Sequence, residues 1–207
     1  LFGQAGVDAV LKELKQLHDR RVPKLKMISE LTVEKRKAAL EYLMFPKKKR
    51  CGTIKGHGRA DGHKQQVYTS REEASSPTVA IKLVMLSCII DAMEGRDVAT
   101  VDIPGAFMQA DMDKTVHMRL HGTMAELIAK IDPKLYRKYI QLENGKPVLY
   151  VELAKALYGT LRAALLFWRK LSKQLVKWGY EINPYDWCVA NKMVKGKLCT
   201  VATVARR

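Results

Sequence analysis

The stretch from Val79 to Met93 is apolar nearly all round, broken only by Lys82, Ser87 and Asp91. A helix with no polar face needs neighbours on most sides, so this one is expected to be buried, with other elements built around it. Ser76-Pro77 in front reads as an N-cap followed by proline at the first helical position, and Gly95 behind reads as the stop. Asp97 to Gln109 follows directly. Val98, Val101 and Ile103 are β-branched, and Asp97 and Pro104 bound the run, which predicts a short strand broken into a turn at Pro104-Gly105. Asp102 would stand near the end of that strand. There it either faces a cleft, where a bare carboxylate is costly to bury, or bonds its own backbone in the turn.

The remaining elements mix without a regular strand–helix alternation. Val7, Val10, Leu11, Leu14 and Leu17 predict an amphipathic helix. Asp19 to Lys26 reads as a basic loop broken by Pro23, and Thr32 as the cap of a second helix through about Met44. Ile54 to Gln66, with Gly56, Gly58 and Gly62 among cations, reads as a hairpin or loop that lets backbone approach an anion; its spacing is not that of a P-loop. Thr115 to Leu120 is an expected strand, and Met124 to Ile131 and Pro133 to Tyr139 are expected short helices. Asn144-Gly145 is a hairpin turn between Ile140–Glu143 and Val148–Leu153. Leu161, Leu165, Trp168, Leu171, Leu175 and Trp178 form the core face of a long helix stopped by Gly179. Asp186–Met193 and Leu198–Val204 are expected strands. This order predicts an α+β fold, with helices packed on a largely antiparallel sheet.

Lysine and arginine number 37 against 21 acids, a net charge of +16, which predicts attraction to polyanions, with nucleic acid or an anionic membrane surface as the usual candidates. Pro46-Lys47-Lys48-Lys49-Arg50 is the densest positive run. It has the composition of a nuclear-import signal, and equally of a solvated basic loop or a phosphate-contacting surface. No run of about 18 apolar residues occurs, so neither a spanning helix nor a membrane partner is expected. Cys51, Cys88, Cys188 and Cys199 form no close pair and read as reduced, mostly buried thiols of an intracellular protein. The start, Leu-Phe-Gly-Gln, has neither a signal-peptide pattern nor an initiator Met, which suggests a fragment of a longer reading frame.

Five landmarks stand in a fixed order. They are Lys55 through Gln65, Glu73 to Val79 with Pro77, Asp102-Ile103-Pro104-Gly105-Ala106-Phe107, Lys155-Ala156-Leu157-Tyr158-Gly159, and Asp186-Trp187-Cys188. In that order the chain resembles the reverse transcriptase of copia-type long-terminal-repeat retrotransposons, over nearly its whole length. The resemblance implies a fingers-like region over residues 1–96 and a palm-like region over 97–207. It also implies an intracellular setting, in a cytoplasmic particle or the nucleus. The implied partners are an RNA or DNA template-primer and deoxynucleoside triphosphates.

The implied chemistry is nucleotidyl transfer with two Mg²⁺ (or Mn²⁺) ions, hard cations that take carboxylate oxygen. By resemblance Asp102 is the catalytic ligand, with the Ile103 carbonyl beside it, and Phe107 lies beneath the nucleotide sugar. Tyr158 and Gly159 face nucleotide and template, and Lys55 and His57 face the triphosphate. Lys47, Lys48, Lys49, Arg50, Arg59 and Lys64 are the expected contacts to nucleic acid.

The chain also departs from the family. His57 replaces an arginine whose guanidinium fork it cannot copy. Thr160-Leu161-Arg162-Ala163-Ala164 stands where Leu-Lys-Gln-Ala-Pro is common. The paired aspartates of the last catalytic hairpin are absent, and Thr203-Val204-Ala205-Arg206-Arg207 stands near their place. One spelling of those five codons, read one nucleotide over, gives Leu-Trp-His-Val-Asp, so a shifted reading frame is expected. The expected protein is then an inactive reverse transcriptase portion. The alternatives are a non-catalytic basic nucleic-acid-binding module and a structural remnant.

Overall fold

A computed structural model describes residues 2–204. In chain order the first half contains α1 (Gly3–Asp19), β1 (Pro23–Lys26), α2 (Val33–Ala38), β2 (Leu40–Met44), β3 (Lys47–Lys48), β4 (Ile54–Lys55), β5 (Gly58–Ala60), α3 (Arg71–Ala74) and α4 (Ile81–Met93). The second half contains β6 (His117–His121), α5 (Thr123–Ile131), α6 (Pro133–Tyr136), β7 (Gln141–Glu143), β8 (Lys146–Leu153), α7 (Ala163–Lys177), β9 (Glu181–Ile182), β10 (Val189–Val194) and β11 (Lys197–Ala202). The architecture is α+β.

The main sheet has the order β1-β8-β6-β2-β5, with β7 also paired to β8, and only β2 and β6 run parallel. Strand periodicity sends alternate side chains of β8 to opposite faces. Leu149, Val151 and Leu153 join the principal core with Leu14 and Leu17 of α1 and Ile128 of α5, whereas Val148 and Tyr150 pack on Leu31 and Ala39 behind the sheet. Each such buried aliphatic side chain contributes about 1.5–3 kcal/mol, so β8, covered on both faces, anchors the sheet. Asn144 and Gly145 both have positive φ, 50° and 75°, as a tight hairpin turn requires. β1, β2 and β5 precede residue 97 and β6, β7 and β8 follow it, so one sheet draws strands from both expected regions.

A second, three-stranded sheet has the order β11-β10-β9, and its β10–β11 turn places Lys195 and Gly196 at positive φ. The long helix α7 reaches it through Trp168, whose indole stacks on Trp187 and donates to the Trp187 carbonyl at 3.2 Å.

Several expectations are corrected. No strand forms within Asp97–Gln109: the chain there is irregular and ends in a 3₁₀ turn at Phe107–Gln109, with Val98 71% and Val101 81% exposed. β-branched residues favour a strand only where another strand completes the hydrogen bonding, and none lies alongside. α4 is not buried; Ile81, Met85, Ile89 and Met93 all face outward. Its start is set by Asp186 and not by Ser76-Pro77: the Asp186 carboxylate accepts from the Ala80 N–H at 2.8 Å and from the Cys188 N–H at 2.8 Å. Pro23 opens a strand where a loop is expected, tolerated because β1 is a sheet edge. Thr32 does cap a helix, its hydroxyl accepting from Lys35 N, but that helix ends at Ala38. Leu40 and Tyr42 then alternate inward as β2. The thiols are not mostly buried: Cys51 and Cys88 are exposed and only Cys188 is fully covered. Leu161 precedes α7 and Trp178 is exposed, so the core face of that helix is shorter than its periodicity implies. Among the described residues no helix is long and apolar enough to cross a membrane.

Candidate functional site

The residues that follow β5 are joined to Tyr158-Gly159 through the backbone. The Ala60 N–H donates to the Tyr158 carbonyl at 2.8 Å. Gly159 has φ +92°, and a Cβ there would overlap the Ala60 carbonyl oxygen; a Cβ on Gly62 would overlap that of Gly159. Only glycine combines that dihedral with so close an approach. Gln65, 2% exposed, completes the joint by accepting from the Leu161 N–H at 2.9 Å.

This joint sets the Tyr158 ring among three others. His57 meets it edge-on with centroids 4.9 Å apart, and Phe107 stacks nearly parallel at 5.9 Å and 11°. Phe167 of α7 meets Phe107 edge-on at 6.1 Å. Offset and edge-to-face pairs of this kind match the quadrupoles of the rings.

The turn that carries Phe107 is held from both sides. Arg20, just past α1, donates to the Pro104 carbonyl at 3.0 Å, and Lys170 of α7 donates to the Gln109 carbonyl at 2.5 Å. Gly105, at φ +59°, leaves room for the Arg20 guanidinium, whose Cζ would stand 2.9 Å from a Cβ. Farther on, Ala156 N donates to Ala110 O at 2.9 Å, and Lys155 pairs with Asp111 at 2.5 Å. The Lys155 hydrogen bond holds the Asp111 carboxyl below the usual range. Arg162, one of the departures from the family pattern, is buried and forms a bidentate pair with Asp113. Lys114 pairs with Glu73 of α3 at 3.0 Å and lowers that carboxyl too.

Asp102 is exposed and Ile103 half-buried, on the irregular segment five residues before Phe107. Among the described residues no three of His, Cys, Asp and Glu gather as metal ligands. One carboxylate does not fit a two-metal centre of Mg²⁺ or Mn²⁺. Arg206 and Arg207 lie outside the described residues.

The expected nucleic-acid contacts divide into two groups. Lys47, Lys48, Lys49, Arg50 and Lys55 are all exposed on the β3–β4 hairpin, with Lys47 in register with Lys55. Like charges directly opposed cost stability, and a bound polyanion would relieve that repulsion. Arg59 and Lys64 are otherwise engaged. Arg59 lies 4.8 Å over the Phe45 ring, and the Lys64 ammonium donates to the carbonyls of Lys37 at 2.8 Å and Ala39 at 3.1 Å at the end of α2. Lys64 thereby clamps the C-terminal end of α2.

The structure therefore brings together His57, Phe107, Tyr158 and Gly159, sets the β3–β4 cations on a separate hairpin, and leaves Asp102 on a surface segment. Sequence reasoning missed Phe167, Arg20 and Lys170. Phe167 had a signal, an aromatic outside the apolar stripe of α7; the two cations had none. Comparison of the chain with protein-family models, curated proteins and solved structures returned no match.

Proposed function

We propose that this chain is the fingers and palm portion of a retrotransposon-derived reverse transcriptase, built for template-directed DNA synthesis and inactive as it stands. One observation carries the reading. His57, Phe107 and Tyr158-Gly159 come from three separate sequence landmarks, and they meet as a single ring cluster on a glycine joint. A nucleotide needs a flat apolar platform for base and sugar and cations for its phosphates. The cluster offers the first; the second would come from Lys55, at the end of the β3–β4 hairpin and two residues before His57 in sequence. Inactivity follows from the carboxylates: Asp102 alone cannot hold two metals. In the intact family those metals activate the primer oxygen and stabilise the leaving pyrophosphate.

The test is photo-crosslinking of an azido-deoxynucleoside triphosphate in the presence of a primed template. Labelling at the ring cluster that Tyr158→Ala removes supports the reading. Labelling elsewhere, or unaffected by Tyr158→Ala, refutes it.

A second reading, a non-catalytic nucleic-acid-binding module, is favoured by the exposed β3–β4 hairpin and its opposed Lys47 and Lys55. The readings differ in the nucleotide: the module binds strands and ignores free triphosphate.

A further inference from the structure

We infer that the hollow between α2 and the 62–67 turn is a second nucleobase site, taking one unpaired base of a single-stranded nucleic acid with Tyr68 as its stacking platform. The hollow holds about 670 Å³ and is lined by Lys37, Ala38, His63, Gln66, Val67 and Tyr68. That volume is within the range of small-ligand sites. Val67 is 90% and Tyr68 56% exposed, although Gly62 and Gln65 of the same turn are buried. An aromatic and a branched side chain are thus held outward on a segment whose other face is anchored.

The anchoring is thorough. Gln65 binds the Leu161 N–H, Lys64 binds two α2 carbonyls, and Asp61 accepts from the His63 N–H at 3.2 Å. A hollow built on such a frame needs little ordering when a ligand enters, which favours affinity. Partial burial raises the Tyr68 hydroxyl above its ordinary range.

Charge selects the occupant. Residues 35–64 carry ten lysines and arginines against two acids, and Glu34 is the single acid in the lining. A nucleotide unit matches this set: a base face for Tyr68, a polar edge for the Gln66 amide, and a phosphate for Lys37. The inference rests on the reading above that nucleic acid lies along this basic surface.

The experiment measures binding of the full chain, at low salt, to a labelled oligothymidylate, an oligouridylate and a blunt duplex. Tyr68→Ala is expected to lower single-strand affinity about fivefold or more, the worth of one stacked base, and to leave duplex affinity unchanged. Tyr68→Phe should bind like the parent. Val67→Glu, at an exposed position that does not threaten folding, should weaken the single strands as well. The thymidylate and uridylate arms show whether the DNA or the RNA strand is preferred. If Tyr68→Ala and Val67→Glu bind single strands normally while charge reversal at Lys47, Lys48 and Lys49 still weakens all three probes, the hollow is not a base site and the broader reading stands. If charge reversal also has no effect, both fall.

Discussion

Gly62 packs backbone-to-backbone on Gly159, so closely that a Cβ on the first would overlap the carbonyl oxygen of the second. Residues 97 positions apart in sequence thus share one contact, and it fixes the ring of Tyr158 against His57 and Phe107. Three of the ring cluster's members depend on that contact holding.

Gly159→Ala is therefore expected to cost about 3 kcal/mol or more, the strain of positive φ together with a clash against Ala60. Gly196→Ala, at φ +78° with open space around it, should cost about 1 kcal/mol. Urea unfolding of the two variants checks the difference; equal losses would show that the Gly159 contact is not tight.

Primer extension on a primed template is expected to give no product with either Mg²⁺ or Mn²⁺. Activity that vanishes on Asp102→Ala would overturn the inactive assignment, since it would mean the exposed carboxylate had found partners.

Binding to nucleic acid is expected to be weak, tolerant of sequence and steeply reduced by salt, because contacts from the β3–β4 hairpin release counterions. Charge reversal at Lys47, Lys48 and Lys49 should weaken binding to unrelated sequences alike and flatten the salt dependence. An affinity indifferent to salt would count against the hairpin.

Asp186→Ala removes a carboxylate that accepts from two backbone N–H groups, one of them at the start of α4. The expected loss is about 1–3 kcal/mol, as for removing an ionised acceptor from backbone N–H groups, with amide exchange fastest in the first turn of α4. Unchanged exchange there would show that the helix start is held by something else.

Glu152 is one of the carboxylates that make stability depend on pH. Lys26 at 3.1 Å, with burial opposing it and Lys24 assisting, holds its carboxyl below the ordinary value. The folded form is the poorer proton acceptor, so the contribution is present above the ordinary carboxylate pKa and fades as pH falls through the lowered one. It amounts to less than about 1 kcal/mol at this partly exposed edge. Glu152→Gln should flatten the acid limb of the stability profile; an unchanged limb would assign that limb to other groups.

What could be read from sequence was what depends on near neighbours. Asn144-Gly145 makes its hairpin from two dihedrals, Thr32 caps α2 through a residue three places on, and the alternation in β8 needs only its own period. Val98 to Ile103 could not be read that way, because a strand exists only when a partner completes it. The exposure of α4 was hidden for a similar reason: apolar composition states a need for cover and says nothing about whether the fold supplies it. At the candidate site, the landmark order proposed His57, Phe107 and Tyr158 as site residues. Their meeting depends on a glycine contact between distant segments, and Arg20 and Lys170 act on backbone carbonyls, which carry no sequence signature.

The outward face of α4 gives the protein two opposing responses to electrolyte. Molecules each carrying +16 repel one another, while Ile81, Met85, Ile89 and Met93 present an adhesive surface. Added salt shortens the reach of the repulsion and, with strongly hydrated anions, strengthens apolar association. Raising ionic strength would therefore drive the molecules together. Purification and storage conditions for this chain are set by that colloidal balance, with light scattering as the natural companion to every salt titration.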